Sequence, residues 1–329
     1  MKILVTGATG FLGKEVLYRL SEEFGKDKVW GTGRNKAVGN TLIQKGYPFL
    51  FGDLSDPGFV KVNLNDFTHI VHCAAKASPW GNFQSFYHDN VLSTQNLINQ
   101  ITALENLIFI SSPSIYFNYS DRFMVKENAE LPVRFVNHYA HTKYLAELEV
   151  LKACDNGVIG VVFRPRALIG AGDTVIMPRL LNAYNAGRLR VIGAGDNLCD
   201  FTSVKNMAHA VVLAIKAGKK VKGMRFNLTD NSPQKLWPWI ETTLKRLGHT
   251  RKLKKINYRL IYALAALSEL YARHFTGNEP VLTRYGIAAL KYSLTLDISE
   301  ARKHLNYEPI ISSEESINEF IINYLNESA

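Results

Sequence analysis

The clearest candidates for catalytic residues in this sequence are a tyrosine and a lysine four positions apart, Tyr139 and Lys143. On a helix, this spacing places both side chains on one face. An ammonium beside a phenol stabilises the phenolate, so we expect Lys143 to lower the pKa of Tyr139 toward the working pH. The stretch FISSPSIY upstream contains Ser111, Ser112 and Ser114, and a serine hydroxyl that faces the helix can hold a substrate oxygen. The pattern predicts an acid–base site.

Three glycines near the N-terminus predict a nucleotide-binding turn. Residues 2–6 form a short apolar run, Gly7, Gly10 and Gly13 follow at intervals of three, and residues 11–24 have a helical apolar pattern. In a strand–turn–helix unit, such glycines permit a tight turn and a close approach of the backbone to a pyrophosphate. The helix N-terminus adds free N–H groups. We therefore expect a dinucleotide cofactor here.

The first half of the chain alternates apolar strands with helices. This alternation predicts an α/β fold, a Rossmann-type doubly wound parallel sheet, with a smaller mixed C-terminal substrate-binding region. Ligands of such sheets bind at the carboxyl ends of the strands. We expect residues 1–165 to form the dinucleotide-binding domain, with 203–216 packing back onto it, and 166–329 the substrate-binding region. The other predicted strands are residues 29–33, 47–51, 69–73, 107–111 and 158–163, and the other helices are 85–103 and 137–155.

The residues after the second and third predicted strands indicate which cofactor binds. The second strand is followed by Arg34, Asn35 and Lys36, without the acid that NAD-preferring sites use for the ribose 2′-hydroxyl. A guanidinium can hold a phosphate and stack on adenine, so NADP(H) is the predicted cofactor and NAD(H) the alternative. After the third strand, Asp53 is either an adenine acceptor, with Leu54 packing on the ring, or an ordinary turn acid.

Together, these motifs resemble the extended branch of the short-chain dehydrogenase/reductase superfamily. The resemblance rests on Thr-Gly-x-x-Gly-Phe-x-Gly at the N-terminus and on Tyr-x-x-x-Lys after the serines. It implies a triad of Ser112, Tyr139 and Lys143, in which the tyrosine protonates the carbonyl oxygen, the serine orients it and the lysine holds the nicotinamide ribose. It also implies that Ser111 lies behind the nicotinamide and that Asn90 braces the site. The predicted cofactor-binding residues are Gly7, Thr9, Gly10, Phe11, Leu12, Gly13, Arg34, Asn35, Asp53, Leu54, Ala74, Ala75, Ser111, Tyr139, Lys143 and Pro165.

The stretch after the sixth predicted strand narrows the substrate. Nucleotide-sugar epimerases and dehydratases usually carry asparagine three residues after the arginine that matches Arg164, where this chain has Ala167, and glycine where it has Phe117. Arg-Pro followed by Gly-x-Gly-Asp instead resembles the 3β-hydroxysteroid dehydrogenase branch, which includes 2-alkyl-3-oxoalkanoate reductases. That resemblance implies interconversion of a ketone and a secondary alcohol on a bulky apolar substrate, a 3-oxo acid or a sterol-like molecule. The predicted substrate-binding residues are Lys76, Trp80, Ser114 and Ala167.

Two other functions stay open at this level. A nucleotide-sugar epimerase or dehydratase would use the same cofactor and the same triad. A redox-sensing NADP(H)-binding regulator would need no triad, so the intact Ser112, Tyr139 and Lys143 argue against it. No residue distinguishes a sterol from a 3-oxo acid or fixes the direction of the reaction.

Composition limits the partners of the chain. Of its 329 residues, 47% are hydrophobic, and the formal net charge is +10, with basic clusters at residues 216–222 and 246–255. The charge indicates solvated surface, or attraction to a phosphorylated cofactor, an anionic substrate or a membrane; without a nucleic-acid module, we expect no nucleic-acid partner. The three cysteines and nine histidines show no ligand-like spacing, so we expect reduced thiols in a cytoplasmic protein and no metal.

One apolar stretch has two interpretations. Residues 256–275 are either a core helix that closes the domain or an amphipathic lid that borders an apolar pocket or touches a membrane, since interspersed polar residues make the stretch unsuitable for spanning a bilayer. Residues 297–324 are expected to form short helices separated at Pro309. By resemblance, residues 85–103 and 137–155 pair across a homodimer as a four-helix interface.

Overall fold

A seven-stranded parallel sheet lies at the centre of the structure, a computed structural model that describes residues 1–328. The strand order reverses at β1 (Ile3–Thr6), which lies between β2 (Val29–Gly33) and β4 (His69–His72), and the carboxyl ends beside β1 therefore form the ligand crevice of such a sheet. The predicted fold class is therefore confirmed. In spatial order, the strands are β12 (Arg225–Leu228), β7 (Ile159–Pro165), β5 (Asn106–Ile110), β4 (His69–His72), β1 (Ile3–Thr6), β2 (Val29–Gly33) and β3 (Phe49–Phe51).

The central strands are almost continuously apolar because helices cover both faces of the sheet. Ile3, Leu4 and Val5 of β1 are completely buried, and every residue of β5 is buried. One face packs against α1 (Phe11–Phe24), α2 (Lys36–Gln44), α8 (Val204–Ala217) and α12 (Ser299–Leu305). The opposite face packs against α3 (Pro57–Asn63), α5 (Ser93–Gln100) and α6 (His138–Ala153).

Several predicted boundaries differ from the structure. The helix predicted over residues 85–103 begins earlier and ends at Gln100, and it comprises α4 (Phe83–Phe86), a π-helical turn (Tyr87–Leu92) and α5. The seventh strand, β12, pairs with β7 and was not predicted, because four residues preceded by a basic surface turn give a weak strand pattern. The stretch predicted to pack back onto the dinucleotide-binding domain, residues 203–216, corresponds to α8, which packs on α1.

A second layer covers the crevice end of the sheet. Its mixed four-stranded sheet includes Arg122–Val125, which the division at residue 165 assigned to the first domain, so neither region is continuous in the chain. In spatial order, that sheet contains β13 (Gln234–Lys235), β10 (Leu198–Cys199), β15 (Leu294–Leu296) and β6 (Arg122–Val125). Two short pairs are β8 (Leu168–Ile169) with β11 (Thr202–Ser203) and β9 (Val191–Ile192) with β14 (Lys255–Ile256). The helices of this layer are α7 (Ile176–Asn185), α9 (Leu236–Arg246), α10 (Tyr258–Tyr271), α11 (Arg284–Ala289) and α13 (Ser313–Ser328).

Candidate active site

The N-terminal turn can be built only from glycine at two positions. Gly7 has a φ of +64°, and a Cβ there would lie 2.8 Å from backbone atoms of Ala74; a Cβ on Gly13 would lie 2.2 Å from the Gly7 carbonyl oxygen. The N-cap of α1, Gly10, makes no side-chain cap. The first-turn N–H groups of α1 are thus free of side-chain caps and can receive a phosphate.

A cavity of about 340 Å³ opens beside this turn at the carboxyl ends of β1, β2, β3 and β4. Nine predicted cofactor residues line it: Gly7, Thr9, Gly10, Arg34, Asn35, Asp53, Leu54, Ala74 and Ala75. Phe11, Leu12, Gly13, Ser111, Tyr139, Lys143 and Pro165 are outside its lining. The cavity and its glycine cradle fit the adenosine and pyrophosphate portions of a dinucleotide. At the end of β5, the hydroxyl of Ser111 is buried and has no hydrogen-bond partner within the described residues, which suits a position behind a nicotinamide.

Arg34 lies at the rim of the cavity and faces two acids. Its guanidinium is 3.2 Å from a carboxylate oxygen of Asp53 and 3.8 Å from one of Asp89, and its side chain is 65% exposed. Although partial burial acts to raise the pKa of Asp53, hydrogen bonds from Ser55 and Arg34 lower it. Sequence reasoning missed Asp89, because an acid inside the 83–100 helix carries no sequence signal of contact with β2.

A buried histidine supports the wall of the cavity. The Nδ1 atom of His72 lies 2.7 Å from the Thr6 hydroxyl and its Nε2 atom 3.1 Å from the Thr94 hydroxyl. The Thr6 hydroxyl in turn accepts a hydrogen bond from the backbone N–H of Ala74. Burial lowers the pKa of His72 to about 3, so the ring is neutral. Through Thr6, it fixes the backbone of Ala74 where the cofactor ribose is expected.

The predicted triad converges at the carboxyl end of β5. Ser112 caps the 3-10 turn Pro113–Tyr116, and its hydroxyl oxygen is 2.9 Å from that of Ser114. The Ser112 side chain lies close enough to Tyr139 on α6 to influence the pKa of its phenol. One turn further along, Lys143 is 1% exposed and its ammonium lies 3.9 Å from the centre of the Phe109 ring.

The expected lowering of the Tyr139 pKa is wrong for this structure. Burial raises that pKa to about 12; the Ser112 side chain acts to lower it, and Tyr285 to raise it. Burial also lowers the pKa of Lys143 to about 7, against the opposing effect of Glu147. The shared site of Tyr139 and Lys143 is buried, and burial disfavours the charged form of both side chains. The spacing of the two residues in the sequence does not reveal this burial.

A buried ion pair behind the triad was not predicted. Glu147, one turn after Lys143 on α6, accepts two hydrogen bonds from Arg164 of β7, at 3.0 and 2.5 Å. The guanidinium also contacts the hydroxyl of Tyr116, which donates to Asn227 of β12 at 2.9 Å. The sequence shows that Glu147 follows Lys143 by four residues, but only the folded structure shows that its partner is Arg164.

The predicted substrate residues lie on loops at the same edge. The Asn90 side chain accepts from the backbone N–H of Lys76 at 2.7 Å and donates to the Thr142 hydroxyl at 3.0 Å, so it links the loop to α6. Trp80 is half-buried on that loop, where its backbone N–H donates to the Ser78 hydroxyl. Ser114 is 5% exposed. Ala167 has a φ of +40°, which is unusual for a residue with a side chain.

Other site types receive no support within residues 1–328. No group of three or more histidine, cysteine or acidic side chains there is arranged to hold a metal ion. Over the same residues, no helix combines the length and the apolar character needed to cross a bilayer. The three cysteines are free thiols.

Comparison with known proteins identifies the fold and the family. The model of the NAD dependent epimerase/dehydratase family matches residues 3–229. The chain is 31% identical to a 2-alkyl-3-oxoalkanoate reductase of Shewanella oneidensis (95% of this chain, 84% of that one) and 31% identical to a 3beta-hydroxysteroid-dehydrogenase/decarboxylase of Arabidopsis thaliana (85% and 53%). A UDP-glucuronic acid 4-epimerase from Bacillus cereus, solved with NAD, superposes with a TM-score of 0.74 over the full length of both chains at 22% identity, which reports the fold alone.

Proposed function

The chain belongs to the NAD dependent epimerase/dehydratase family, in its extended short-chain dehydrogenase/reductase branch that resembles 3β-hydroxysteroid dehydrogenases, and we propose that it is an NADP(H)-dependent oxidoreductase. The proposed reaction interconverts a ketone and a secondary alcohol on a bulky apolar substrate, a 3-oxo acid or a sterol-like molecule. The observation that carries the proposal is that Ser112 and Tyr139 lie close enough to interact, with Lys143 one helical turn further along α6, at the strand edge that bears the glycine-lined cavity.

The arrangement of the side chains supports a reductive step. When bound, a nicotinamide cofactor supplies the hydride for the carbonyl carbon. Tyr139 holds a proton at neutral pH because its pKa is about 12, and it gives that proton to the carbonyl oxygen while Ser112 orients the same oxygen. Lys143 would hold the nicotinamide ribose, and Ser111, whose hydroxyl has no partner among residues 1–328, would face the ring.

Arg34 supports the phosphorylated cofactor. Its largely exposed guanidinium is positioned at the cavity rim, and a 2′-phosphate would replace the weak, solvated pairing with Asp53 and Asp89 by a charge-assisted bond. The Arg34→Ala substitution is expected to reduce the preference for NADPH over NADH by about tenfold or more, measured as two Kd values by fluorescence titration. Lys61→Ala, which removes one exposed charge from α3, is the matched control; an unchanged ratio in Arg34→Ala would overturn the cofactor assignment.

A cluster of aromatic rings supports an apolar substrate. Phe117 is buried, and its ring centre lies 5.6 Å from that of Tyr285, which itself acts on the pKa of Tyr139. Tyr119 contacts Phe117 at 5.6 Å and Tyr262 of α10 at 6.2 Å. These rings give the proposed pocket one apolar side, and the named reductase and dehydrogenase relatives support the same assignment. A sugar diphosphate would need polar partners there.

The test is turnover by the wild type and by Tyr139→Phe. We expect wild type to oxidise NADPH with 3-oxo acids or 3-oxo sterols, and Tyr139→Phe to lose at least about 100-fold in kcat/KM while still binding NADPH. Tyr144→Phe, on the same helix, is the control and should retain activity. Turnover of nucleotide sugars with none on apolar ketones would favour an epimerase or dehydratase. An inactive wild type whose biological effect survives Tyr139→Phe would favour a regulator.

We also propose a cytoplasmic homodimer built on the helix pair 83–100 and α6. The two helices already pack together in one chain, where the Gln95 amide donates to the Glu149 carboxylate at 3.0 Å. Leu148 of α6 is 40% exposed and would be covered by a second copy. A monomeric mass by light scattering would overturn this assembly.

A further inference from the structure

Helix α10 and its π-helical continuation, Ala272–Thr276, present a row of large apolar side chains to the outside. Leu264 is 45% exposed, Leu267 63% and Phe275 77%. Spacings of three and four residues place the row on one face. We call this set the leucine face: Leu260, Leu264, Leu267, Leu270, Tyr271 and Phe275, all exposed by 45% or more.

The inner side of the same helix carries the charge. Glu269 is 8% exposed and accepts hydrogen bonds from the backbone N–H and the Nε atom of Arg284, each at 2.7 Å. A helix that faces water turns its charged residues outward and its leucines inward. Over the central turns of α10 this pattern is reversed. The acid, Glu269, is hydrogen-bonded on the inner side of the helix, and the leucines are exposed on the outer side.

Basic residues border the leucine face at both of its ends. Lys254, Lys255 and Arg259 precede or begin α10 and are exposed, and Arg273 is exposed at the other end. The sequence has no acid between residues 251 and 268. An open cavity of about 470 Å³ at the start of the helix is lined by residues that include Lys255, Asn257 and Arg259. An apolar face between basic ends is complementary to a bilayer with anionic headgroups.

A second copy of the chain is a poorer occupant for this face. An antiparallel two-fold pairing along the leucine face would bring Arg259 of one copy toward Arg273 of the other, and no exposed acid on the face would compensate. Lipid headgroups supply the missing negative charge, and acyl chains supply the apolar contact.

The leucine face also lies beside the proposed substrate pocket. Tyr262 of α10 contacts Tyr119 of the aromatic cluster. Past the end of the helix, Glu279 accepts a hydrogen bond from Ser78, on the loop of Lys76 and Trp80. Arg273 helps to lower the pKa of His138, the neighbour of Tyr139. A surface that touches the leucine face would therefore lie close to the aromatic cluster and to the loop of Lys76 and Trp80.

We propose that the leucine face docks on an anionic lipid bilayer, so that the protein binds the membrane surface peripherally with its substrate pocket next to the lipid. Docking of this kind needs no membrane-spanning helix. The proposal goes beyond the assigned reaction and can be measured without turnover.

The experiment is flotation of the full chain with vesicles of phosphatidylcholine, with and without phosphatidylglycerol. We expect binding to the anionic vesicles, and about tenfold or greater losses in Leu264→Gln/Leu267→Gln and in Lys254→Gln/Arg259→Gln. Two control pairs change equally exposed groups elsewhere. They are Ile310→Gln/Ile322→Gln for apolar area and Lys219→Gln/Lys220→Gln for charge, and both should bind as wild type does.

Three results would overturn the proposal. They are no binding of wild type, equal losses in the control pairs, and a wild-type dimer that Leu264→Gln/Leu267→Gln converts to a monomer by light scattering. Circular dichroism checks that the variants fold, and the charge pair provides an independent test if the leucine pair does not. NADPH oxidation on a water-soluble short 3-oxo acid, measured without vesicles, reports the proposed reaction separately, so the two proposals can fail independently.

Discussion

Glu147 and Glu269 are both buried acids that pair with an arginine, but they lie in different layers of the molecule. Glu147 belongs to the layer of the sheet, where its side chain is 0% exposed and that of Arg164 is 2% exposed. Glu269 belongs to the outer layer, where the side-chain values are 11% for the acid and 44% for Arg284. The first pair is enclosed on all sides, whereas the second is open to water on the side of its arginine.

The contrast reflects how each layer is built. In the sheet layer, apolar side chains are inside, and one hydrogen-bonded network of buried polar groups runs beneath the triad from Glu147 to Asn227. In the outer layer, α10 directs its leucines outward and its acid inward. The sheet layer is complete as a folded unit, whereas the outer layer has a surface suited to a further partner.

The largest expected effect comes from breaking the enclosed pair. Arg164→Met leaves the carboxylate of Glu147 buried without its hydrogen-bonded counter-charge, and we expect it to lower the free energy of unfolding by about 3–5 kcal/mol. Arg284→Met removes the counter-charge of Glu269 at a more exposed position and should cost about 1 kcal/mol. Urea unfolding at neutral pH measures both.

The double variant Glu147→Leu/Arg164→Met separates burial of an unpaired charge from loss of packing. It should recover most of the stability, because it removes both charges together. Equal losses in Arg164→Met and Arg284→Met would contradict the difference drawn between the two layers.

Much of the sheet layer could be predicted from sequence because its signals are local. The N-terminal turn depends on glycines three residues apart, and Tyr139 and Lys143 lie on the same face of α6 because they are four residues apart. Both are properties of single elements, and the structure has both. The resemblance to a family extended them to Ser112, which only the pairing of β5 beside α6 brings into reach.

The remaining site features depend on partners distant in sequence. The pairing of Arg34 with Asp89 joins a strand end to the middle of a helix, and that of Glu147 with Arg164 joins a helix to a strand. The pKa of Tyr139 was predicted in the wrong direction, because the spacing gives proximity to Lys143 and not the burial of the site. For residues 256–275, composition left two interpretations open, and the exposure of individual leucines was needed to argue for one.

A pH experiment tests how fully the sheet layer is sealed. His72 has a folded pKa of about 3, below its ordinary value of 6.5. The unfolded chain therefore binds a proton that the folded chain does not, so stability is fully present above pH 6.5 and is lost as the pH falls toward 3. Between pH 7 and pH 5, this residue should account for about 2 kcal/mol of the loss.

Urea unfolding of His72→Gln at both pH values measures that share. Its stability should fall less between pH 7 and pH 5 than that of wild type, by about 2 kcal/mol. His274→Gln, in the exposed end of the outer layer, is the matched control and should keep the wild-type dependence. If His72→Gln keeps it too, water reaches the histidine and the sheet layer is not sealed at that point.

The smallest expected effect lies where the chain passes from one layer to the other. Ala167 follows β7 with a φ of +40°, a conformation that a Cβ disfavours and glycine adopts readily. Ala167→Gly should therefore raise the free energy of unfolding by about 0.5 kcal/mol, after the added entropy of the unfolded chain is offset. Ala37→Gly, at an exposed position within α2, should lower it by about 1 kcal/mol. If the two Ala→Gly substitutions change the free energy of unfolding in opposite directions, the backbone is strained at Ala167. If both lower it, the packing of the Ala167 methyl group contributes more stability than its backbone conformation costs.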